Sequence, residues 1–439
     1  MPPDPVPDIA VHRARRHRLL QDLGEGVFIL ATAPEVIRNR DAHYPYRFDS
    51  HFYYLTAFPE PEAVLVLIAG RRPRQILFCR DRSPEREIWD GRRHGPRAAK
   101  EAFGFDAAHS IRELDRRMPR LLENQPRLAY AFGNDAAWDA RVLGWINQTR
   151  AQARTGITAP PILTHAHTLV DSMRLLKDEH ELTLMQRVAD VSAQAHMAAM
   201  RACRPGMGEW EIEAELLRGF RRQGCQAPAY TPIVAGGANA CVLHYVNNDA
   251  VLRDGDLLLI DAGGEYYGYA ADITRCFPVN GRFSGPQKTV YEIVLAAQLA
   301  AIDSVRPGNG FDVPHAAALR VLTQGMVDLK LLRGEVDGLL EAEAYKRFYM
   351  HRTSHWLGLD VHDAGSYKQD GTWRELVPGM ALTVEPGMYI RPAEDVPPAL
   401  HNIGIRIEDD VVVTPQDHRV LTDAAPKTIG AIEEFMRAR

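Results

Sequence analysis

The sequence predicts two domains of different class, an α/β domain over residues 1–172 followed by an α+β domain over 173–439. Three observations predict this. A chain of 439 residues is long enough for more than one core, at roughly 150 residues per domain. The first part alternates strand-like and helix-like segments, whereas the second segregates long amphipathic helices from apolar strands. A turn-rich stretch, Thr155–Pro161, lies between them and reads as a linker.

In chain order, residues 26–30, 63–68 and 74–78 are short continuous apolar runs, which predict buried strands. Apolar residues at helical spacing follow over 111–122 and 136–146. No G-x-G-x-x-G follows any of these strands, so a dinucleotide site has no fingerprint. Beyond the linker, Lys177–Glu181 opens a long helix carrying Leu182, Met185, Val188, Val191 and Ala195 on one face, and Pro205-Gly206 stops it. A second helix covers about 208–223. Ser284 and Pro286 open a third, and Val313–Leu332 forms a fourth. Strands are predicted at 257–261, 269–278, 381–384 and 403–413 as a mainly antiparallel sheet.

Composition narrows the function classes. Apolar residues make up 46% and charged residues 25%, the values of a globular chain. The net charge is −5 and the sequence pI about 6.4, so there is no basic footprint for nucleic acid. Runs such as Arg13-Ala14-Arg15-Arg16 and Arg71-Arg72 read as solvated surface. The longest apolar run, Ala63–Ala69, is far short of the ~18 residues of a membrane span. Five scattered cysteines (79, 203, 225, 241 and 276) suit reduced thiols, and Met1–Pro5 lacks the character of a secretory signal. A cytoplasmic protein with no membrane partner is the expectation.

The chemistry is concentrated in four segments. In DAGGEYYGYAADITR, a hairpin centred between Tyr266 and Tyr267 would set Asp261 opposite Asp272. Facing carboxylates repel unless a cation lies between them. His351, His355 and His362 fall within one short segment, and imidazole is the commonest nitrogen ligand to metals. Glu385 ends an apolar strand at a Pro-Gly turn. In GIRIEDDVVV, alternation puts Gly404, Arg406 and Glu408 on one face of an apolar strand. A buried Glu408 needs a partner, which either Arg406 or a metal would supply. Taken singly, each segment fits a solvated or structural role. Together, Asp261, Asp272, His355, Glu385 and Glu408 offer four carboxylates and one imidazole, enough to hold two divalent ions. Oxygen-rich ligation with one nitrogen suits Mn²⁺ best, with Zn²⁺, Co²⁺ or Fe²⁺ as alternatives. Such a site performs amide hydrolysis.

In that order, DAGGEYYGYAADITR, HRTSHWLGLDVHD, TVEPGMYI and GIRIEDDVVV resemble the pita-bread metallopeptidases, and within them the bacterial aminopeptidase P (Xaa-Pro aminopeptidase) group. RDAHYPYRFDSHFYYLTAFPEPEAVLVL and EIWDGRRHG extend the resemblance over nearly the whole chain. It implies a creatinase/prolidase-like N-terminal domain, a pseudo-twofold catalytic domain, substrates with proline second, and a homo-oligomer (dimer or tetramer). Carried over by position, Asp261 and Asp272 ligate one ion. Asp272 and Glu408 bridge to a second, which His355 and Glu385 complete. Glu385 is the base, His351 and His362 hold the scissile carbonyl, and His244 lies on the substrate side. Tyr389 and Arg406 line the proline site, while Asp41 and Trp89 match N-terminal-domain positions that reach an active site, a neighbouring subunit's being one option. The resemblance departs at Arg352, where glycine is expected. The ligands are untouched, and the change bears on loop shape and access near His351.

Prolidase, with the same five ligands, is the nearest rival. Methionine aminopeptidase lacks so large an N-terminal domain, and creatinase lacks the ligands. A pita-bread binding protein without catalysis is disfavoured because every ligand is retained.

Overall fold

The computed structural model describes residues 7–438, and Met1–Pro5 lies outside them. The described chain forms two compact units, 7–174 and 175–438. The Thr155–Pro161 stretch is not the break between them. It is an internal loop of the first unit, because the strand and helix that follow it, Ile162–His165 and Ala166–Arg174, belong to that unit.

The first unit is built on a mixed six-stranded sheet. Its strands are β1 (Gly26–Ala31), β2 (Val64–Ala69), β3 (Arg74–Cys79), β4 (Ala107–Ser110), β5 (Arg127–Tyr130) and β6 (Ile162–His165), in the order β4-β3-β2-β1-β5-β6. The apolar runs seen in the sequence are its buried central strands. Val27, Ile29, Val64, Val66, Ile76 and Phe78 pack against Leu114, Met118, Val142 and Trp145, which helices 114–121 and 136–150 contribute. The basic run 13–16 is not all solvated, since Arg15 and Arg16 are buried. The Arg16 guanidinium donates to Gln75 Oε1 (2.6 Å) and to the carbonyls of Leu55 (2.8 Å) and Phe103 (2.9 Å). A fork with five donors satisfies carbonyls that packing would otherwise strand. Arg15 stacks over Tyr54, 4.0 Å from the ring centre. Arg71 and Arg72 are exposed, as expected.

The second unit opens with the helix Glu179–Ala202. Asp178 caps it and forms a reciprocal capping box with Glu181. The helices Glu209–Arg222, Gly285–Asp303 and Val313–Asp328 follow, the second of these opened by Ser284 and Pro286. Between and after them the strands pair antiparallel. Ile233–Gly236, Leu257–Asp261 and Thr274–Pro278 form one sheet, while Ala381–Val384 pairs with Asp409–Val413 and Gly387–Ile390 with Ile403–Arg406. This is the predicted α+β class. Two strands are interrupted: 269–278 breaks at 271–273, and 403–413 breaks at Ile407–Glu408. Both breaks carry site residues, because a residue released from the ladder can turn its side chain into a cavity.

All five cysteines are buried and free. Among the described residues, no helix is long and apolar enough to cross a membrane.

Candidate metal centre

The two aspartates are not directly paired. Tyr267 (φ 47°) and Gly268 (φ 81°) are the central residues of the turn, so Tyr266 faces Tyr269 and Asp261 faces Thr274. Positive φ at both central positions is the two-residue hairpin geometry that matches strand twist. It shifts the register by two from a hairpin centred on Tyr266-Tyr267. Asp272 therefore lies diagonally across from Asp261, on the same face, just before the strand resumes. The crossing is tight here: a Cβ on Gly263 would sit 1.6 Å from the Ala271 carbonyl oxygen.

Tyr230 joins the two acids, its Oη lying 2.6 Å from Asp261 Oδ1 and 2.5 Å from Asp272 Oδ1. One hydroxyl proton cannot serve two carboxylates, so the second contact requires another proton or a cation. Arg406 donates to Asp261 Oδ2 (2.5 Å), to Tyr389 Oη (2.9 Å) and to Thr274 Oγ1 (3.1 Å). It is thus the partner of Asp261, not of Glu408. Glu408 instead accepts from Thr274 Oγ1 at 2.6 Å, held by its own N–H on the Thr274 carbonyl (3.1 Å).

His355 is fixed from both sides. Its backbone exchanges hydrogen bonds with Thr383 (3.1 and 3.0 Å), and its Nδ1 lies 3.0 Å from the Trp356 carbonyl. That contact places the Nδ1 proton on the carbonyl and leaves Nε2 facing Asp272 Oδ2 (3.4 Å) and Glu385 Oε1 (3.5 Å). Glu385 follows the strand Ala381–Val384, its N–H donating to the Thr353 carbonyl at 2.8 Å. Asp272, His355 and Glu408 present three ligand atoms within 4.8 Å of one another.

The electrostatics show a cluster short of positive charge. Burial pushes the Glu408 carboxyl well above its usual range, with Asp272 and Glu385 adding to the effect. Burial also raises Asp261 against the opposing pull of Arg406, and lifts Glu385 to about 7. Burial works against ionised Asp272 too, but His355, by hydrogen bond and charge, together with Tyr230 and Arg406 outweighs it and holds the acid below its ordinary value. Burial disfavours a charged His355, yet contact with Asp272 lifts it to about 9. Four carboxylates and one oriented imidazole nitrogen fit two divalent ions in donor type and in charge.

The remaining predicted residues divide. His351, His362 and His244 line the same cavity, of about 990 Å³, as the carboxylates. His351 Nδ1 bonds the Arg352 carbonyl (2.8 Å) and its Nε2 meets Tyr389 Oη (2.8 Å). Burial and the nearby Arg406 lower its pKa to about 3, so the ring is neutral. His362 packs edge-on to His355 with centroids 4.3 Å apart. Burial and then His355 lower its pKa. Tyr389 is fully buried and links His351 to Arg406 from behind the cavity wall. Asp41 and Trp89 belong to the N-terminal unit, where both are exposed, Trp89 to 81%.

Sequence reading passed over Tyr230, which lies outside every motif, and His315, Phe311 and Trp373 on the cavity wall. It also passed over Glu209, whose carboxylate anchors the segment that carries His244. Glu209 accepts from Gly236 N (2.7 Å), Asn239 Nδ2 (3.1 Å), Tyr245 Oη (2.8 Å) and Ala250 N (2.9 Å). No local pattern announces such contacts, because the partners lie 27–41 residues away.

A buried four-carboxylate, one-imidazole cluster at strand breaks of an antiparallel α+β unit defines a metallohydrolase. The comparisons carry this further. The model of metallopeptidase family M24 matches residues 183–415, and that of the aminopeptidase P N-terminal domain matches 12–130. The chain belongs to metallopeptidase family M24 and shares its pita-bread catalytic fold. It is 43% identical to the Xaa-Pro aminopeptidase of Escherichia coli over 97% of both chains, and 31% identical to human Xaa-Pro aminopeptidase 3, covering 96% of this chain and 84% of that one. Among solved structures, the aminopeptidase PepP of Pseudomonas aeruginosa is 50% identical with a TM-score of 0.97, each chain 99% covered. Zinc-substituted E. coli aminopeptidase P in complex with product matches at 42% identity and a TM-score of 0.96, over 98% of this chain and 99% of that one.

Proposed function

We propose that this metallo-aminopeptidase hydrolyses the N-terminal Xaa-Pro bond of peptides and releases the first residue. The observation that carries the reading is the convergence of Asp261, Asp272, His355, Glu385 and Glu408 in one cavity, in a chain 43% identical over nearly its whole length to an Xaa-Pro aminopeptidase. The same five residues would hold two divalent ions, and the hard oxygen donor set favours Mn²⁺. When bound, such ions lend Lewis acidity to the scissile carbonyl and make hydroxide available near neutral pH.

The chain's own residues supply the rest. An Xaa-Pro bond is a tertiary amide with no N–H to recognise, so ring shape and the carbonyl must identify it. His351 and Arg406, tied together by Tyr389 behind them, form the wall that fixes the proline side. His362 and His244, lining the cavity, are donors for the oxygen that gains charge as the carbonyl is attacked. The proline nitrogen must acquire a proton to leave. Glu385 is the group to take that proton from the attacking water and pass it on, its Oε2 lying 3.6 Å from His351 Nδ1.

The chain acts in the cytoplasm as a homo-oligomer, and Asp41 and Trp89 complete the site of a neighbouring subunit. The large apolar side chains left exposed on the N-terminal unit, Ile88 (82%) and Trp89 (81%) together with Ile37 and Tyr44, support an assembled state. Equilibrium sedimentation at micromolar concentration should give a dimer or tetramer.

Purified protein loaded with Mn²⁺ is tested on Ala-Pro-Ala, Ala-Pro and Ala-Ala-Ala. Release of alanine from the first, lost with a chelator and absent with the third, is the expected result. Cleavage of the dipeptide alone would favour a dipeptidase instead.

A further inference from the structure

Three side chains of the cavity lie apart from the metal cluster: Arg352, Lys368 and Trp373. Lys368 and Trp373 face each other across a short hairpin, Lys368–Gln369 paired with Thr372–Trp373. Its turn, Asp370 (φ 52°) and Gly371 (φ 80°), has the two positive dihedrals that lock a two-residue loop. Two cations share the Trp373 indole. Lys368 Nζ is 4.4 Å from the ring centre and the Arg352 guanidinium carbon 5.1 Å. The indole orders both side chains without neutralising either. Neither forms an ion pair with a carboxylate among the described residues; Asp312 lines the same cavity but reaches neither. The neighbouring His315 feels the charge, since burial and then Arg352 lower its pKa to about 4.

Two unneutralised cations ordered over one ring make a site for an anion. The direction of the peptide decides which anion. On the N-terminal side of the scissile bond an aminopeptidase substrate has one residue, ending in an ammonium that two cations repel. The leaving side ends in a carboxylate. We propose that Arg352 and Lys368, ordered on Trp373, form a subsite for a carboxylate carried by the peptide beyond its proline. That carboxylate is either the C-terminus of a short substrate or an acidic side chain. The proposal rests on the Xaa-Pro aminopeptidase reading, and it makes short or acidic-tailed peptides the preferred class.

The test measures kcat and KM of the Mn²⁺-loaded enzyme on Ala-Pro-Ala as free acid and as amide. A second arm uses Ala-Pro-Glu-Ala-Ala and Ala-Pro-Gln-Ala-Ala, both amidated. In the unaltered enzyme the charged member of at least one pair should have kcat/KM about five- to twentyfold higher, through KM. Preference in the first pair assigns the C-terminal carboxylate, and preference in the second assigns the acidic side chain. In the Arg352→Gln/Lys368→Gln double variant the ratio should fall below about twofold, whereas Arg352→Lys should keep most of it. Equal kcat/KM within both pairs, or a ratio that survives in the double variant, overturns the subsite while leaving the aminopeptidase reading intact. Failure to cleave any of the four peptides overturns the aminopeptidase reading, and the subsite with it.

Discussion

Replacing Glu209 by alanine should unfasten the segment that carries His244 while leaving every metal-cluster residue in place. Glu209 is fully buried at the first turn of its helix, where the helix dipole favours a carboxylate. Its two oxygens collect four hydrogen bonds from residues 236–250. Tyr245 keeps a second partner in Asp249, 2.9 Å away, but the Gly236 and Ala250 amides and the Asn239 side chain lose the acceptors described for them. Two stranded amides at about 1–3 kcal/mol each, with a smaller contribution from Asn239, predict a loss of roughly 3–5 kcal/mol. At about 2–4 °C per kcal/mol, the melting temperature should fall by roughly 10 °C. Displacement of His244 should lower kcat/KM about 10- to 100-fold. Calorimetry gives the first quantity, steady-state kinetics the second, and hydrogen exchange at Gly236 and Ala250 locates the change. Glu209→Gln keeps the size but turns an amide group toward donors, so it should recover only part of the loss. Stability within about 0.5 kcal/mol of the parent, with unchanged exchange at those amides, would refute the anchoring role.

Other perturbations probe different parts of the structure. Asp272→Ala should abolish turnover and cut retained divalent metal, read by elemental analysis; unchanged turnover would sink the metal-centre reading. Gly263→Ala forces a Cβ into the Ala271 carbonyl at 1.6 Å and should separate the strands bearing Asp261 and Asp272, with loss of both soluble yield and metal. Arg275→Met leaves the buried Asp409 with Lys427 as its only cation among the described residues and should cost about 3–5 kcal/mol by denaturant unfolding. Burial opposes ionisation of Asp409, but Arg275 and Lys427 outweigh it and hold its pKa below the ordinary 3.8. The stability this acid contributes is therefore present above about pH 4 and lost as the pH falls below that value. In Asp409→Asn the dependence of stability on pH below about 4 should be shallower than in the parent.

How much of this was legible in the chain follows from the range of the interactions. Strands 26–31, 64–69 and 74–79 and helices 179–202 and 285–303 are written in local apolar runs, caps and stops, so the class of each domain could be read directly. The four acids and one imidazole of the candidate centre were legible as residue types, since together at the ends of apolar strands they call for a cation even though each alone fits a structural role. Their arrangement was not. The diagonal relation of Asp261 and Asp272 depends on which two residues take positive φ, a choice between adjacent dipeptides that composition leaves open. Burial of Arg15 and Arg16, the pairing of Arg406 with Asp261, and the roles of Tyr230 and Glu209 depend on partners tens to more than a hundred residues away. Local pattern specifies what a segment can form, because propensity and periodicity act over a few residues. Only packing decides which buried polar groups meet, because each must find its hydrogen-bond partner wherever the folded chain brings one within reach.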